Sequence, residues 1–503
     1  MAADTALPTG IRRVILVAAA TLGTAAYDFT WTVVGIGLPH MQGAFSATTD
    51  QVAWVLTGFI VGSAMMTSTV GWVTAKIGRK QLFMFALAGY TITLIGCGMS
   101  STLISEVVWR FIQGVVGAPL IPLGQAITVD AFPPERHGKA TSIWAIAVVA
   151  GGAFGPAFGG ALINKFGWPW IFYITIPVGV VSLIAAWIVI PETPNDPTRK
   201  LDWFGCATLL TAIATLMLVL GRGERLGWFD SYEIILEAMA ASIAFYLFIA
   251  HTMTSKLNFI DKALFRNRNY TIGLLFLLLF ASIVTLPMFL LPILLQQVAG
   301  YPAIEAGYLL IPRGIGVIMG LLFIGQIEHL MDPRKVIFVC LLFVIYTGWE
   351  MSQWTVDVRA WDVIWPNFIQ GVTSGMMWVP VSALALSTIE RRWQADGYAI
   401  FYLQFDIGSA IGVAGIVALN SRHAQINRAT LVEHVNPYNE LLNYPEISSI
   451  WNIAETEGLA LLDLEIGRQA AMIAYNNSFL MITLGAAMLL PLTLLFRPPQ
   501  RAR

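Results

Sequence analysis

The chain has 503 residues, of which 57% are hydrophobic and 12% are charged. A soluble protein of this size carries about 25% charged residues, so the sequence lacks the polar surface that a water-soluble fold requires. The formal net charge of −1 indicates no particular partner, and three cysteines within apolar segments (Cys97, Cys206, Cys340) argue against a disulfide framework. The composition predicts a protein with several membrane-spanning helices.

Long apolar segments recur along the whole chain. An α-helix rises about 1.5 Å per residue, so about 20 apolar residues cross the ~30 Å hydrocarbon core of a bilayer. Prolines within several segments do not exclude a helix, because neighbouring helices satisfy the carbonyl groups that a proline leaves free. We predict fourteen spans, at 14–38, 51–74, 81–101, 104–130, 140–163, 170–190, 203–220, 232–253, 271–296, 303–325, 334–352, 362–388, 397–420 and 475–496.

The distribution of Lys and Arg predicts the orientation of these spans. The short loops on the side of the N-terminus hold 20 of these residues, and the short loops on the other side hold four (Lys165, Arg222, Arg225, Arg359). Short cytoplasmic loops carry an excess of positive charge. We therefore predict that both termini are cytoplasmic and that the long segment 421–474 lies outside.

The pentapeptide FIQGV occurs twice, at 111–115 and at 368–372, an offset of 257 residues. The loop GWVTAKIGRK (71–80) has a counterpart in GQIEHLMDPRK (325–335), and Gly138 has one in Gly397. Both copies run in the same direction, which indicates parallel halves related by an axis along the membrane normal. Two six-helix halves placed directly after each other would give a smaller offset, and the difference equals the length of spans 7 and 8. We therefore predict a six-helix bundle (1–191), a linker with two extra spans (192–268) and a second six-helix bundle (269–503).

The motifs resemble those of the major facilitator superfamily, in its branch of fourteen-spanner drug:proton antiporters of the EmrB/QacA type. Seven segments carry the resemblance in family order: TAAYDFTWTVVGIGLP (24–39), GWVTAKIGRK (71–80), RFIQGVVGAPLIPL (110–123), GGAFGPAFGG (151–160), WPWIFYITIPVG (168–179), LPILLQQVAGY (291–301) and AGYLLIPRG (306–314). The resemblance implies an all-α major facilitator fold and proton-coupled export of amphipathic drugs or toxic organic compounds from the inner membrane.

Other functions stay open at this point. A dedicated exporter or facilitator of one lipid, siderophore or metabolite is the main alternative, and a transporter-like receptor is a further one. The sequence has no nucleotide-binding loop and no His/Cys metal cluster, so we expect no enzyme activity, no cofactor and no nucleic-acid partner. The energy for transport is then expected from a proton gradient.

Two acidic residues are predicted near the middle of spans, where a charge costs a few kcal/mol. We interpret Asp28 as the proton-carrying acid, with Arg110 within reach across a depth difference of ~5 Å. A static ion pair is the alternative, and Glu106 is a rival partner for Arg110. Asp406 is interpreted as a second proton site or a cation-binding acid, or as a structural group.

The family motifs also indicate residues that control conformation. They are Gly71, Gly78, Arg79 and Lys80 in the first loop motif, and Gly155, Pro156, Gly159 and Gly160 in the antiporter motif. Small residues at helical spacing allow close approach of two helices. Three positions depart from the family pattern: Ala75 replaces the acid of the loop motif, and Tyr402 and Phe405 replace an Asn and an Arg.

For substrate contact we predict polar and aromatic residues on cavity-side helices: Tyr27, Trp31, Gln113, Gln296, Gln370 and Tyr402. Such a lining suits flat amphipathic molecules. Packing or interhelical hydrogen bonding is the alternative for each of these residues. The segment 421–474 is predicted either to dock a periplasmic adaptor of a tripartite efflux system or to form a self-packed outer loop.

Overall fold

The computed structural model describes residues 8–193, 196, 200–255, 257–328, 330–386, 389, 390, 393–436, 439, 442, 444–448, 450–452 and 455–497. These residues form twenty α-helices, named α1 to α20 in chain order. Twelve helical segments among them are long and apolar enough to cross a membrane. The predicted all-α membrane protein is confirmed, whereas the count of fourteen spans and the location of the termini stay predictions.

The first half of the bundle covers the first six predicted spans. Two of these spans are interrupted, at Pro119 and just before Pro177, because proline lacks the amide hydrogen that a continuous helix needs. The helices are α1 (Gly10–Ala44), α2 (Thr49–Val52), α3 (Trp54–Ile77), α4 (Arg79–Gly98), α5 (Leu103–Gly117), α6 (Leu120–Asp130), α7 (His137–Phe166), α8 (Trp170–Tyr173) and α9 (Ile176–Val189).

The inserted pair consists of α10 (Trp203–Arg222) and α11 (Tyr232–Thr254), followed by the short α12 (Ala263–Arg266). Helix α10 packs against α3, and α11 packs against α10. The buried guanidinium of Arg222 donates to Glu237 at 2.8 Å and stacks on the ring of Trp54 at 4.6 Å. One side chain therefore joins both inserted helices to the first half.

The second half covers the last six predicted spans. Its helices are α13 (Arg268–Val284), α14 (Leu286–Ile293), α15 (Ala303–Ile327), α16 (Pro333–Met351), α17 (Ala360–Leu386), α18 (Gln394–Val432), α19 (Pro445–Ser448) and α20 (Thr456–Leu495). A π-helical turn, Leu294–Val298, continues α14. The break between α13 and α14 precedes Pro287, which stands at the start of α14.

Helices α18 and α20 are much longer than the predicted spans 13 and 14. They contain 39 and 40 residues, a length of about 60 Å at helical rise, or twice the hydrocarbon thickness. Much of the segment 421–474 is therefore helix that extends beyond the bilayer. The predicted span boundaries at 420 and 475 stay predictions, and they do not coincide with the helix ends, because a helix continues beyond the lipid while its residues favour helical backbone.

The internal repeat is visible in how helices pack within each half. A Cβ atom at Gly62 of α3 would lie 2.4 Å from the carbonyl oxygen of Phe111, the first residue of FIQGV in α5. A Cβ atom at Gly316 of α15 would likewise lie 2.4 Å from the carbonyl oxygen of Phe368 in α17. Glycine at both positions allows the backbones to touch. The two copies of FIQGV thus mark the same helix contact in two halves.

Basic side chains gather at one end of the bundle. Arg79 forms an ion pair with Asp130 at the end of α6, and Arg13 stacks on Phe132 just beyond it, at 5.1 Å. In the second half, Arg334 donates to the carbonyl oxygen of Phe496. We call this the basic end, and the positive-inside prediction assigns it to the cytoplasm.

Candidate functional site in the gap between the two halves

Contacts between the halves close the bundle at the basic end. The carboxylate of Glu328, just after α15, lies against Gly138 at the start of α7, so closely that any side chain at 138 would displace it. Asp396 occupies the same kind of position against Gly71 of α3. Burial raises the pKa of Glu328 to about 7. Each contact pairs a glycine of the first half with an acid of the second half.

An aromatic layer lies one to two turns further into the bundle. The hydroxyl of Tyr402 on α18 donates to Oε1 of Gln125 on α6. The ring of Tyr402 meets Trp144 of α7 edge-on and Trp378 of α17 at a tilt, both at 5.8 Å between centroids. Tyr402, Gln125 and Trp144 are each at most 5% exposed. The layer therefore closes the interface between the halves a second time, further from the basic end than the two glycine contacts.

Asp406 lies one helical turn beyond Tyr402 on the same face of α18. It is 12 residues from the start of this helix at Gln394, or about 18 Å. Its side chain is nevertheless exposed, and no ion pair or hydrogen bond to it occurs among the described residues. Tyr27 of the first half is one of its electrostatic neighbours. Asp406 therefore faces a water-accessible gap between the halves, which is closed at the basic end.

Asp28 lies at the contact between α1 and α7, within the first half. Its Oδ2 atom would be 2.3 Å from a Cβ at Gly152. Farther along the same stripe, a Cβ at Gly155 would lie 2.2 Å from the Thr32 hydroxyl, and one at Gly159 would lie 2.2 Å from Val33. The small residues of the antiporter motif thus pack α7 directly onto α1 and leave room for a carboxylate.

Two other residues of this motif contribute differently. A Cβ at Gly160 would have no neighbour within 4 Å among the described residues, so this glycine makes no close helix contact. The side chain of Pro156 lies outside the described part of the chain.

Arg110 is fully buried and does not form an ion pair with Asp28 in this structure. Its Nη1 atom donates to Oε1 of Gln113, and its guanidinium stacks on the ring of Phe59 at 4.2 Å. Glu106, also fully buried, is an electrostatic neighbour. Glu106, the alternative partner predicted from the sequence, therefore lies nearer to Arg110 than Asp28 does in this conformation.

The other predicted cavity residues differ in how far they are buried. Tyr27, Gln113 and Gln370 are buried, and Tyr27 contacts Ser63 through its hydroxyl at 2.9 Å. Trp31 is half-buried and stacks on the Phe59 ring at 5.3 Å. Gln296 is exposed, and its amide donates to the carbonyl of Pro292 in its own helix at 3.1 Å. Of the predicted lining, Tyr27 and Tyr402 are electrostatic neighbours of Asp406.

The first loop motif forms a tight turn at the basic end. Gly78 has φ of +94°, a conformation that favours glycine, and it both ends α3 and precedes α4. The amide of Arg79 donates to the Thr193 hydroxyl at 2.8 Å, and Lys80 is half-buried in the first turn of α4. Ala75 offers no side-chain acceptor, and its carbonyl accepts from Asp196 at 2.7 Å.

Sequence reasoning missed several residues that shape this site. They are Gln125, Trp144, Glu328, Asp396 and Asp130. A glutamine inside a predicted span was a signal for Gln125, since a buried amide needs a partner. No local pattern could have paired it with Tyr402, 277 residues away. Among the described residues, no group of three or more His, Cys, Asp or Glu side chains is placed to hold a metal.

Similarity to known proteins agrees with this architecture. Residues 20–413 match the family model of the Major Facilitator Superfamily. The fatty acid resistance protein FarB of Neisseria gonorrhoeae is 30% identical over 93% of both chains. The multidrug export protein EmrB of Escherichia coli K12 is 29% identical over 97% of this chain and 96% of its own.

Solved structures share the fold. The human organic anion transporter MFSD10 superposes with a TM-score of 0.61 at 14% identity, covering 95% of this chain and all (100%) of that one. The proton:xylose symporter XylE superposes with a TM-score of 0.59 at 13% identity, covering 94% of each chain. The spanning helices and the bacterial relatives identify a multi-pass protein of the inner membrane. With two matched halves, a gap between them and a family model over most of its length, this chain belongs to the Major Facilitator Superfamily.

Proposed function

We propose that this protein exports amphipathic drugs or other toxic organic compounds in exchange for protons, by alternating access. The observation that carries the proposal is Asp406, an acid that has no ion pair or hydrogen bond among the described residues and faces the water-accessible gap at membrane depth. An ionisable residue inside a membrane span is a candidate for proton or substrate binding. The names of the relatives EmrB and FarB, a multidrug export protein and a fatty acid resistance protein, support the export of such compounds.

The proposed cycle starts from the conformation in this structure. If the basic end faces the cytoplasm, the gap is open to the outside, and Asp406 can take up a proton there. Neutralisation removes the cost of enclosing its charge, which favours closure of the outer side. The layer of Tyr402 and Gln125 then separates, the gap opens to the cytoplasm, and release of the proton restores a carboxylate that attracts a cationic substrate.

Asp28 is proposed as a second proton site. Its carboxylate lies between α1 and the glycine stripe of α7, so its charge state can change how tightly these two helices pack. Arg110 is proposed to act on the charge of Asp28 in another conformation of the cycle, since Gln113 and Phe59 hold it in this one. The division into residues 1–191, 192–268 and 269–503 is proposed as the set of units that move.

The proposal is tested in inverted membrane vesicles that take up a fluorescent cation such as ethidium. The wild type should accumulate the cation when a pH gradient is imposed. Asp406→Asn should lose this accumulation, because the amide can neither carry a proton nor attract the cation. Asp463→Asn, which removes an exposed acid far from the gap, is the matched control and should behave as wild type.

Two results would contradict the proposal. Gradient-driven accumulation that is unchanged in Asp406→Asn would remove this residue from coupling. Cation movement that ignores the pH gradient in the wild type would favour a facilitator of a single lipid, siderophore or metabolite.

We also propose that the helical extensions of α18 and α20 dock a periplasmic adaptor. They form an antiparallel pair beyond the bundle, in which Arg428 and Asp463 are joined at 2.6 Å. Leu461 and Leu464, three residues apart on one face of α20, are 45% and 70% exposed. An exposed apolar face on an extramembrane helix is typical of a surface that binds a partner.

A further inference from the structure

Arg313 is a membrane-depth arginine for which the proposed cycle gives no role. It lies in the middle of α15, where its Nη1 donates to Oε1 of Gln370 at 3.0 Å and its Nη2 donates to the carbonyl oxygen of Val284 at 2.6 Å. No acidic side chain forms an ion pair with it in the described part of the chain. An arginine at the centre of a spanning helix is costly even on the most favourable scales, so its presence there calls for an explanation.

The exposure pattern of α15 gives the direction in which Arg313 points. Tyr308, Ile311 and Ile315 are each at least 50% exposed and mark the lipid-facing side of this helix. At about 100° per residue, Arg313 lies roughly 140° around the helix from Tyr308 and 160° from Ile315. The arginine therefore points away from lipid. Because its side chain is only half-buried, its accessible part faces the interior between the two halves.

The internal repeat shows what is particular about this arginine. In the first half, the glutamine of FIQGV, Gln113, binds Arg110 from its own helix. In the second half, the corresponding Gln370 binds Arg313, which stands on α15 at the position of Phe59 in the repeat. Arg110 is fully buried beside Glu106, whereas Arg313 is partly accessible and has no such acid beside it in the described part of the chain. The second half thus offers an uncompensated positive charge.

We propose that Arg313, oriented by Gln370, binds the anionic group of a substrate in the gap between the halves. A guanidinium has five N–H donors, of which the two hydrogen bonds use two, so three stay available for a carboxylate or sulfonate. Asp406 offers the opposite charge to the same gap. This arrangement gives one binding region that accepts amphipathic anions at α15 and amphipathic cations at α18, and it rests on the proposed export function.

The test compares two probes with the same alkyl chain and opposite head groups, decanoate and decyltrimethylammonium. Their binding to the purified full-length protein is followed by tryptophan fluorescence. The wild type should bind both. Arg313→Gln should bind decanoate roughly 10- to 100-fold more weakly, the range expected for loss of a charged hydrogen bond, while its affinity for the cation stays within about twofold. Arg313→Lys should keep part of the decanoate affinity, because the charge remains.

Arg359→Gln, which removes an exposed arginine just before α17, is the matched control and should bind both probes normally. An unchanged decanoate affinity in Arg313→Gln would overturn the inference, since Arg313 would then serve only to bind the carbonyl of Val284. Loss of both probes in a monodisperse Arg313→Gln variant would also overturn it, by revealing a structural role. A wild type that binds neither probe would instead refute the proposed function, and this inference with it.

Discussion

The hydrogen bond between Tyr402 and Gln125 offers the sharpest test of how the two halves separate. Removal of the hydroxyl in Tyr402→Phe leaves Oε1 of Gln125 without its partner, in a layer where Gln125 is 1% exposed. A buried polar group left unsatisfied costs about 1–3 kcal/mol. In the conformation that opens this layer, both side chains would meet water, so the cost falls on the closed conformation alone. The ratio of closed to open conformations should therefore fall about 5- to 150-fold.

Distances between spin labels measure this shift directly. Glu135 and Lys335 are exposed residues at the basic end, one in each half, and cysteines at these positions would carry the labels after replacement of the native cysteines. Tyr402→Phe should enlarge the population with the longer distance. Because the layer then opens more readily, we also expect leakage of the pH gradient or faster exchange of substrate in vesicles.

The double variant Tyr402→Phe/Gln125→Leu is the control. Replacement of both partners by apolar groups of similar shape is nearly neutral, so it should restore most of the closed population. An unchanged distance distribution in Tyr402→Phe would refute the reasoning, because this hydrogen bond would then contribute nothing to the stability of the closed conformation. A double variant that opens further than the single one would refute it as well.

Two further predictions concern the ends of the bundle. Burial raises the pKa of Glu328 to about 7, so Glu328 binds a proton more tightly in the closed conformation, against Gly138, than in the open conformation. Closure should therefore be favoured below that pH and should weaken as pH rises through it. Glu328→Gln should abolish this pH dependence in the same label distances, and a dependence that persists would assign it to another group. At the opposite end, Leu464→Glu should reduce drug resistance of cells but leave pH-driven uptake in vesicles unchanged, because only cells need the adaptor. Equal loss in both assays, or in neither, would contradict the docking surface.

The repeat illustrates how far sequence reasoning reached. Each copy of FIQGV places a close helix contact with a glycine, and a glutamine, at the corresponding position of its half. The offset of the copies indicated parallel halves and an inserted pair, a division that stays a prediction, although both copies make the same glycine contact. The repeat could not indicate that the arginine bound by each glutamine lies on α5 in the first half but on α15 in the second. This difference arises from contacts between helices rather than from spacing within one.

The site was predicted less completely than the fold. Asp28, Asp406 and Arg110 were identified because a charge in an apolar span is costly and conspicuous, but their proton-coupling roles stay predictions. The expected contact of Asp28 with Arg110 is absent here, since Gln113 and Phe59 hold the guanidinium. A one-dimensional estimate of depth says how far apart two residues lie along the bilayer normal, and it says nothing about which way each helix is turned.

The sequence by itself determined that this chain spans a membrane many times, that it contains two related halves and where its costly charges lie. Each of these follows from hydropathy, periodicity or repetition, which act along the chain. Only the tertiary structure decided which end of the gap is closed, that Tyr402 meets Gln125 there, and that Asp406 faces water. Those outcomes depend on the rotation of each helix about its axis and on contacts between residues hundreds of positions apart, which packing of the whole bundle sets.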